Sequence, residues 1–188
     1  YWNGLVDEVR VYDYPRTQKQ IVEDMNGGHP IGGSPIGSQL ARYKLDDLNG
    51  DTATDHLGTY DSDLAGSTVT CPQSGTSDCP VWSSDGWATG GLDFDGTDDW
   101  VDTTIPSNTS SSISMTTWFY SHDAGSMGDS SNLSQYLISQ RRSLNNPRLS
   151  VGLDNNRLGM YWYDTGGNAV EGNTVLSPNT WYHAALTY

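Results

Sequence analysis

Two acidic clusters carry the most obvious chemistry in this sequence. Asp46, Asp47, Asn49, Asp51 and Asp55 fall within KLDDLNGDTATD, and Asp93, Asp95, Asp98 and Asp99 within LDFDGTDDWVD. Oxygen donors at this density suit Ca²⁺, a hard ion that takes six to eight oxygen ligands. Asp46, Asp47, Asp55 and Asp93 are the candidate ligands from these runs. Their spacing is not that of an EF-hand, because no Glu stands twelfth in a loop beginning at Asp46 or Asp47. The same side chains also suit Asx-turns and an acidic, solvated surface.

Aromatic rings are the second chemical resource. Trp82, Trp87, Trp100, Trp118, Tyr161, Trp162, Tyr163, Trp181 and Tyr182 are spread through the chain. Exposed rings of this kind stack on the C–H faces of sugars while Asp and Asn hold hydroxyls. With Phe numbering only 2, Trp and Tyr must also fill much of the core. Trp82 and Trp87, in the Gly-rich run after the cysteines, are the candidates for exposure and for glycan contact. Catalytic patterns are absent: no HExxH or Ser/His/Asp arrangement occurs, and His29, His56, His122 and His183 lack ligand spacing. A non-enzymatic role is therefore expected.

Composition narrows the partners and the compartment. A formal charge of −14 excludes most binding to phosphate backbones, which requires clustered Lys and Arg. No apolar run approaches the roughly 20 residues of a membrane helix, so no membrane span is expected. Cys71 and Cys79 flank CPQSGTSDC and are expected to close a small disulfide loop in an oxidising compartment, free thiols being the alternative. Asn108-Thr-Ser and Asn132-Leu-Ser are glycosylation-type sequons in predicted loops. Together these features predict an extracellular or cell-surface protein, and the chain is expected to be a slice of a longer or processed one.

The elements that must position these residues are mostly strands. Residues 1–13 alternate Leu5, Asp7, Val9 and Val11 against Val6, Glu8, Arg10 and Tyr12, the period of a strand. YPRTQKQIVEDM predicts a short helix with Pro15 at its first position and an apolar edge of Ile21, Val22 and Met25. Residues 26–39 read as a Gly/Pro/Ser linker, and residues 40–188 as a domain of strands. The predicted strands are LARYKL, GLDFDGTDDWVDT, SISMTTWFYS, SQYLISQR, RLSVGLD, RLGMYWYD and TWYHAALTY. In SISMTTWFYS, Ile113, Met115, Thr117 and Phe119 face one way and Ser114, Thr116, Trp118 and Tyr120 the other. An all-β antiparallel sandwich follows.

GLDFDGTDDWVDT, ISMTTWFY and NTWYHAALTY resemble successive signatures of laminin-G-like domains in the concanavalin A-like lectin/glucanase superfamily. The first segment, NGLVDEVRVYDYPRTQKQIVEDM, resembles the closing strand and trailing helix of the same domain type, so residues 1–25 carry what should come last. The resemblance implies a jelly-roll sandwich. It also implies that calcium in such domains sits where the opening strand, the Asp-Gly turn and the closing strand meet, recruiting Asp7 or Glu8. The E-x-D-x-x-E pattern of the superfamily's glucanases has no counterpart among Glu8, Glu23 and Glu171.

The displaced strand allows a cut through tandem repeats, a circular permutation or donation to a neighbour's sheet. A linker of this length spans about 40 Å when extended, enough to reach another copy. In the donation reading Trp2, Leu5, Val6, Val9 and Val11 join copies of the chain into a cell-surface or fibrous assembly of structural, adhesive repeats. The alternative function is a carbohydrate-binding module of a secreted multi-domain protein.

Overall fold

The computed structural model describes residues 1–26, 39–65, 71, 79–106, 112–123, 135–143, 146–163 and 167–188. Its elements are β1 (Asn3–Tyr12), α1 (Gln18–Met25), β2 (Gln39–Tyr43), β3 (Thr52–Ala53), β4 (Ser62–Leu64), β5 (Val81–Ser83), β6 (Gly91–Asp95), β7 (Val101–Asp102), β8 (Ser114–Ser121), β9 (Gln135–Ser143), β10 (Asn146–Asp154), β11 (Arg157–Tyr163), β12 (Gly167–Glu171) and β13 (Trp181–Thr187). The protein is an all-β sandwich. Its main sheet runs β13-β8-β1-β6-β5, with β2 also paired to β1, and a second sheet runs β12-β11-β10-β9. A small third sheet joins β3, β4 and β7.

One hydrophobic core lies between these layers. Val6 and Val11 of β1, Ala41 and Tyr43 of β2, Leu92 of β6, and Met115 and Phe119 of β8 meet Leu149, Val151 and Leu153 of β10. Ile113, Met115 and Phe119 face inward as their alternation predicts, burying apolar surface at roughly 25 cal/mol per Å².

β1 occupies the middle of the chain's own main sheet. It pairs antiparallel with β8 along its length, with β6 over Asn3–Val6, and with β2 over Val9–Tyr12. The residues expected to join a neighbouring copy are accordingly used at home. Trp2, Val6 and Val11 are core, Val9 packs against that core, and Leu5 is buried on the opposite face beside Tyr120 and Asp93.

Two local expectations are corrected. Strict alternation along β1 fails because the register with β8 shifts between Asp7 and Arg10, and Glu8 has φ 50°. This β-bulge inserts a residue, so that Val6, Val9 and Val11 share the core side while Leu5, Asp7, Arg10 and Tyr12 share the other.

The helix begins later than Pro15, with Thr17 as N-cap in a reciprocal capping box with Gln20. It buries a polar face of Gln20, Glu23 and Asp24, and leaves Val22 and Met25 exposed. The reason is the charge on the sheet beneath it. Asp24 accepts from Arg10 Nη1 at 3.0 Å, Tyr12 Oη at 2.7 Å, and Arg16 Nε and Nη2 at 3.0 and 2.7 Å.

Removing one partner of such a buried network strands the others. Asp24→Ala should lower the unfolding free energy by about 3–5 kcal/mol in urea titrations. Met25→Ala, on the face that the sequence pattern favours, should stay within about 0.5 kcal/mol of wild type.

Candidate functional site

The outer face of the main sheet, turned away from the core, collects the rings and charges that the core does not use. Ser114, Thr116, Trp118 and Tyr120 of β8 lie on it. In register beside them are Trp181, His183 and Ala185 of β13 and, on the opposite flank, Leu5, Asp7 and Arg10 of β1. The segment between β5 and β6 folds over this face through a tight glycine crossing. A Cβ on Gly86 would lie 1.5 Å from the Gly90 carbonyl oxygen, so only glycine is accommodated there.

That segment is pinned by a buried carboxylate. Asp7, 1% exposed, accepts the Ala88 N–H on Oδ2 at 3.0 Å and the Glu8 N–H on Oδ1 at 2.6 Å. The bulge points Asp7 at the place where β1 exchanges β6 for β2 as its neighbour. Burial pushes the Asp7 carboxyl up to about 6, against the opposing pull of its backbone donors.

Trp87 consequently lands on Trp118, with ring centroids 3.8 Å apart and planes 12° from parallel, and remains 46% exposed. Trp181 meets Trp87 at 6.3 Å and Tyr120 at 5.6 Å. Tyr120 meets His122 at 5.6 Å, and His122 Nε2 lies 2.8 Å from Asp93 Oδ1. At the other end His183 meets the Trp118 ring edge at 5.3 Å. Burial pulls His183 down to about 4, with Asp24 opposing that shift and Arg10 adding to it. The result is an aromatic strip ending in a half-exposed His–carboxylate pair.

Glu8 lies beyond Asp7, held by Arg10 and Arg42. Arg42 Nη2 lies 3.0 Å from both carboxylate oxygens, and Arg10 Nη2 is 2.8 Å from Oε2. Burial would raise the Glu8 pKa, but these hydrogen bonds outweigh it and keep the carboxyl below its ordinary range.

The five acidic residues singled out for a metal do not converge. Asp55 is spent on its own loop, accepting the N–H groups of Arg42, Leu57, Thr59 and Tyr60. Asp47 accepts the Thr54 N–H, Asp46 the Thr89 hydroxyl, Asp93 faces His122, and Asp7 holds Ala88. A different group meets in the turn between β6 and β7, where one oxygen each of Asp95, Asp98 and Asp99 lies within 4.8 Å of the others. Burial raises Asp99 to about 6; the Asp95 N–H opposes this, while Asp95, Asp98 and Asp93 add repulsion.

Of the two glycan candidates, Trp87 is on the strip and Trp82 is not. Trp82 packs against the core and donates its indole N–H to the Gly50 carbonyl at 2.8 Å. Trp118, Trp181 and Tyr120 join Trp87 through strand register. The outward half of SISMTTWFYS signalled two of them, but the pairing of β8 with β13 did not show in the chain. Cys71 and Cys79 form a disulfide with Cα atoms 5.8 Å apart. Asn108 and Asn132 lie outside the described residues.

Among the described residues no helix is long and apolar enough to cross a membrane. Comparison with models of known protein families, with curated proteins and with solved structures finds no match.

The two perturbed groups beneath the strip have opposite pH signatures. His183, with a folded pKa below its ordinary value of 6.5, contributes stability that is complete above about 6.5 and lost as pH falls toward 4. Asp7, with a folded pKa above its ordinary 3.8, contributes stability that is complete below about 4 and lost as pH rises through 6. In urea unfolding, the stability difference between wild type and His183→Gln should be larger at about pH 7.5 than at pH 5. The difference between wild type and Asp7→Asn should be larger at about pH 5 than at pH 7.5.

Proposed function

We propose that this chain is a non-catalytic, extracellular carbohydrate-binding module whose platform is Trp87. The observation that carries the reading is the 46% exposed indole, backed by Trp118 at 3.8 Å and fixed by the Asp7–Ala88 hydrogen bond. Trp118 covers one ring face, and the other is free for the C–H surface of a pyranose. Trp181 and Tyr120 extend the contact along the strip. His122 and Asp93, with side chains 39% and 40% exposed, are placed to exchange hydrogen bonds with hydroxyls at its end.

The formal charge of −14 favours neutral glycans over polyanionic ones. Asp7 has no acid–base role in this reading, since both its oxygens hold backbone N–H groups beneath the platform. The disulfide supports the extracellular placement, and the resemblance to laminin-G-like domains supports a recognition module. β1 completes its own sheet, so donation of that strand to a neighbouring copy is not part of this reading.

Retention on insoluble neutral polysaccharides tests it. Wild type should be retained, and Trp87→Ala should lose at least tenfold in affinity while costing about 0.5–1.5 kcal/mol of stability from the lost ring pair. Trp82→Phe should bind as wild type. No retention on any neutral polysaccharide, or equal retention of Trp87→Ala, would end the proposal.

A further inference from the structure

An asparagine followed by glycine is open to spontaneous loss of its side-chain amide, because the glycine has no Cβ to shield the backbone nitrogen that attacks it. The chain holds three such pairs, Asn3-Gly4, Asn26-Gly27 and Asn49-Gly50, and Gly27 lies outside the described residues. The fold treats the other two oppositely. Asn3 and Gly4 lie in β1 between β6 and β8, where Gly4 is in register with Phe94 and Ser121. The Asn3 amide donates to Asp123 Oδ2 at 2.9 Å, and the Asn3 carbonyl accepts the His122 N–H at 3.2 Å. Cyclisation there would break the ladder at the centre of the main sheet. Asn49 and Gly50 instead sit exposed in the loop between β2 and β3. Leu48 has φ 60° and Gly50 φ 85°, so left-handed backbone flanks Asn49 on both sides. Asn49 Nδ2 donates to the Asp47 carbonyl at 3.2 Å, and among the described residues nothing accepts from the Gly50 N–H. A Cβ built on Gly50 would meet nothing within 4 Å, so space around the attacking nitrogen is open.

We infer that Asn49 is a site of spontaneous deamidation, left reactive by the fold while Asn3 is protected. The Gly50 nitrogen, giving up its proton to hydroxide, attacks Asn49 Cγ. The Nδ2 amide leaves as ammonia, and a succinimide ring closes. Water then opens the ring at either carbonyl: at Cγ it gives aspartate, and at the backbone carbonyl it gives isoaspartate. Either product adds one negative charge to a formal −14, in a run that already holds Asp46, Asp47 and Asp51. Isoaspartate also inserts Cβ into the main chain, displacing the Gly50 carbonyl that accepts the Trp82 indole N–H at 2.8 Å. The same loop braces the end of the segment that carries Trp87. A Cβ on Gly90 would lie 2.9 Å from Leu48 Cδ2 and 3.1 Å from Asp46 Cα, and Asp46 Oδ2 accepts the Thr89 hydroxyl at 3.4 Å. Conversion of Asn49 therefore acts on Trp82 and at the foot of the covering segment.

Peptide mapping by mass spectrometry, after incubation in mildly alkaline buffer, reads the reaction at each asparagine through the mass gained when NH₂ is replaced by OH. Native wild type should convert Asn49 at least tenfold faster than Asn3, and the Asn49 rate should rise with pH. In guanidinium chloride the two rates should converge, because unfolding removes the sheet that protects Asn3. Asn49→Gln should slow conversion at this position at least tenfold, since the longer side chain closes a larger and less favoured ring. In nitrogen–proton correlation spectra the incubated wild type should show a second Trp82 indole signal, which Asn49→Gln treated alike should lack. Equal native rates at Asn49 and Asn3 would overturn the inference. So would an Asn49 peptide still unchanged in the native protein once the unfolded chain has converted. A converted chain whose Trp82 signal stays single would overturn the link to Trp82. None of these readouts involves polysaccharide retention, so failure of the glycan reading leaves this one standing, and the reverse holds.

Discussion

The bulge at Glu8 decides what each face of the main sheet carries. A non-glycine residue at φ 50° costs on the order of 1–3 kcal/mol and persists only where its surroundings fix it. Here Arg10 and Arg42 hold the Glu8 carboxylate, and Thr117 Oγ1 donates to the Asp7 carbonyl at 3.0 Å. The extra residue reverses the phase of β1. Before it Val6 faces the core, and after it Val9 and Val11 do, so the apolar side stays continuous across the break. Without the insertion Arg10 and Tyr12 would point into the sandwich and the strand could not bury either half well.

Arg10 and Tyr12 reach the outer face through that reversal, beside Leu5 and Asp7, which lie there by plain alternation. Arg10 and Tyr12 emerge where α1 crosses, and Asp24 joins helix to sheet through charge rather than through an apolar stripe. Asp7 emerges where β1 changes neighbours, and reaches the Ala88 N–H of the covering segment. The segment thereby sets Trp87 on Trp118. The strained residue and Asp7, which anchors the covering segment, are thus neighbours in the chain, although the rings of the strip come from β8, β13 and that segment.

Much of the architecture was legible because burial imposes a period of two. Ile113, Met115 and Phe119 announced the core side of β8, and the long strands from β8 to β11 and β13 stood out between turn residues. The short strands β3, β4, β5 and β12 were not legible, since two to five residues carry too little pattern and owe their conformation to partners distant in sequence. Alternation failed at Glu8, because a bulge depends on tertiary partners that no local pattern encodes. The helix misled for a related reason: Ile21, Val22 and Met25 suggested an apolar edge, but the surface available to it was Arg10 and Tyr12.

The candidate site was legible in residue types and only partly in position. Trp87 stood out in its Gly-rich run, and glycine-assisted crossing of the chain is what brings it onto the sheet. Trp82 shares the composition of that run but belongs to β5, where pairing with Leu92 turns it toward the core. The acidic residues were too numerous for spacing to sort. Hydrogen bonding sorts them, because Asp55 and Asp7 are consumed by backbone N–H groups whereas Asp98 and Asp99 each keep one oxygen without a hydrogen-bond partner among the described residues.

The central claim is that the Trp87 strip is a binding surface and not merely a cover for Asp7 and Trp118. Nitrogen–proton correlation spectra recorded during titration with soluble neutral oligosaccharides test it most directly. The account predicts that the Trp87 indole N–H shifts first, followed by the Trp181 indole and the backbone of Tyr120 and His122, with Leu149 to Leu153 unchanged. Shifts centred on the opposite sheet, or a Trp87 indole signal that stays fixed while ligand saturates, would contradict it.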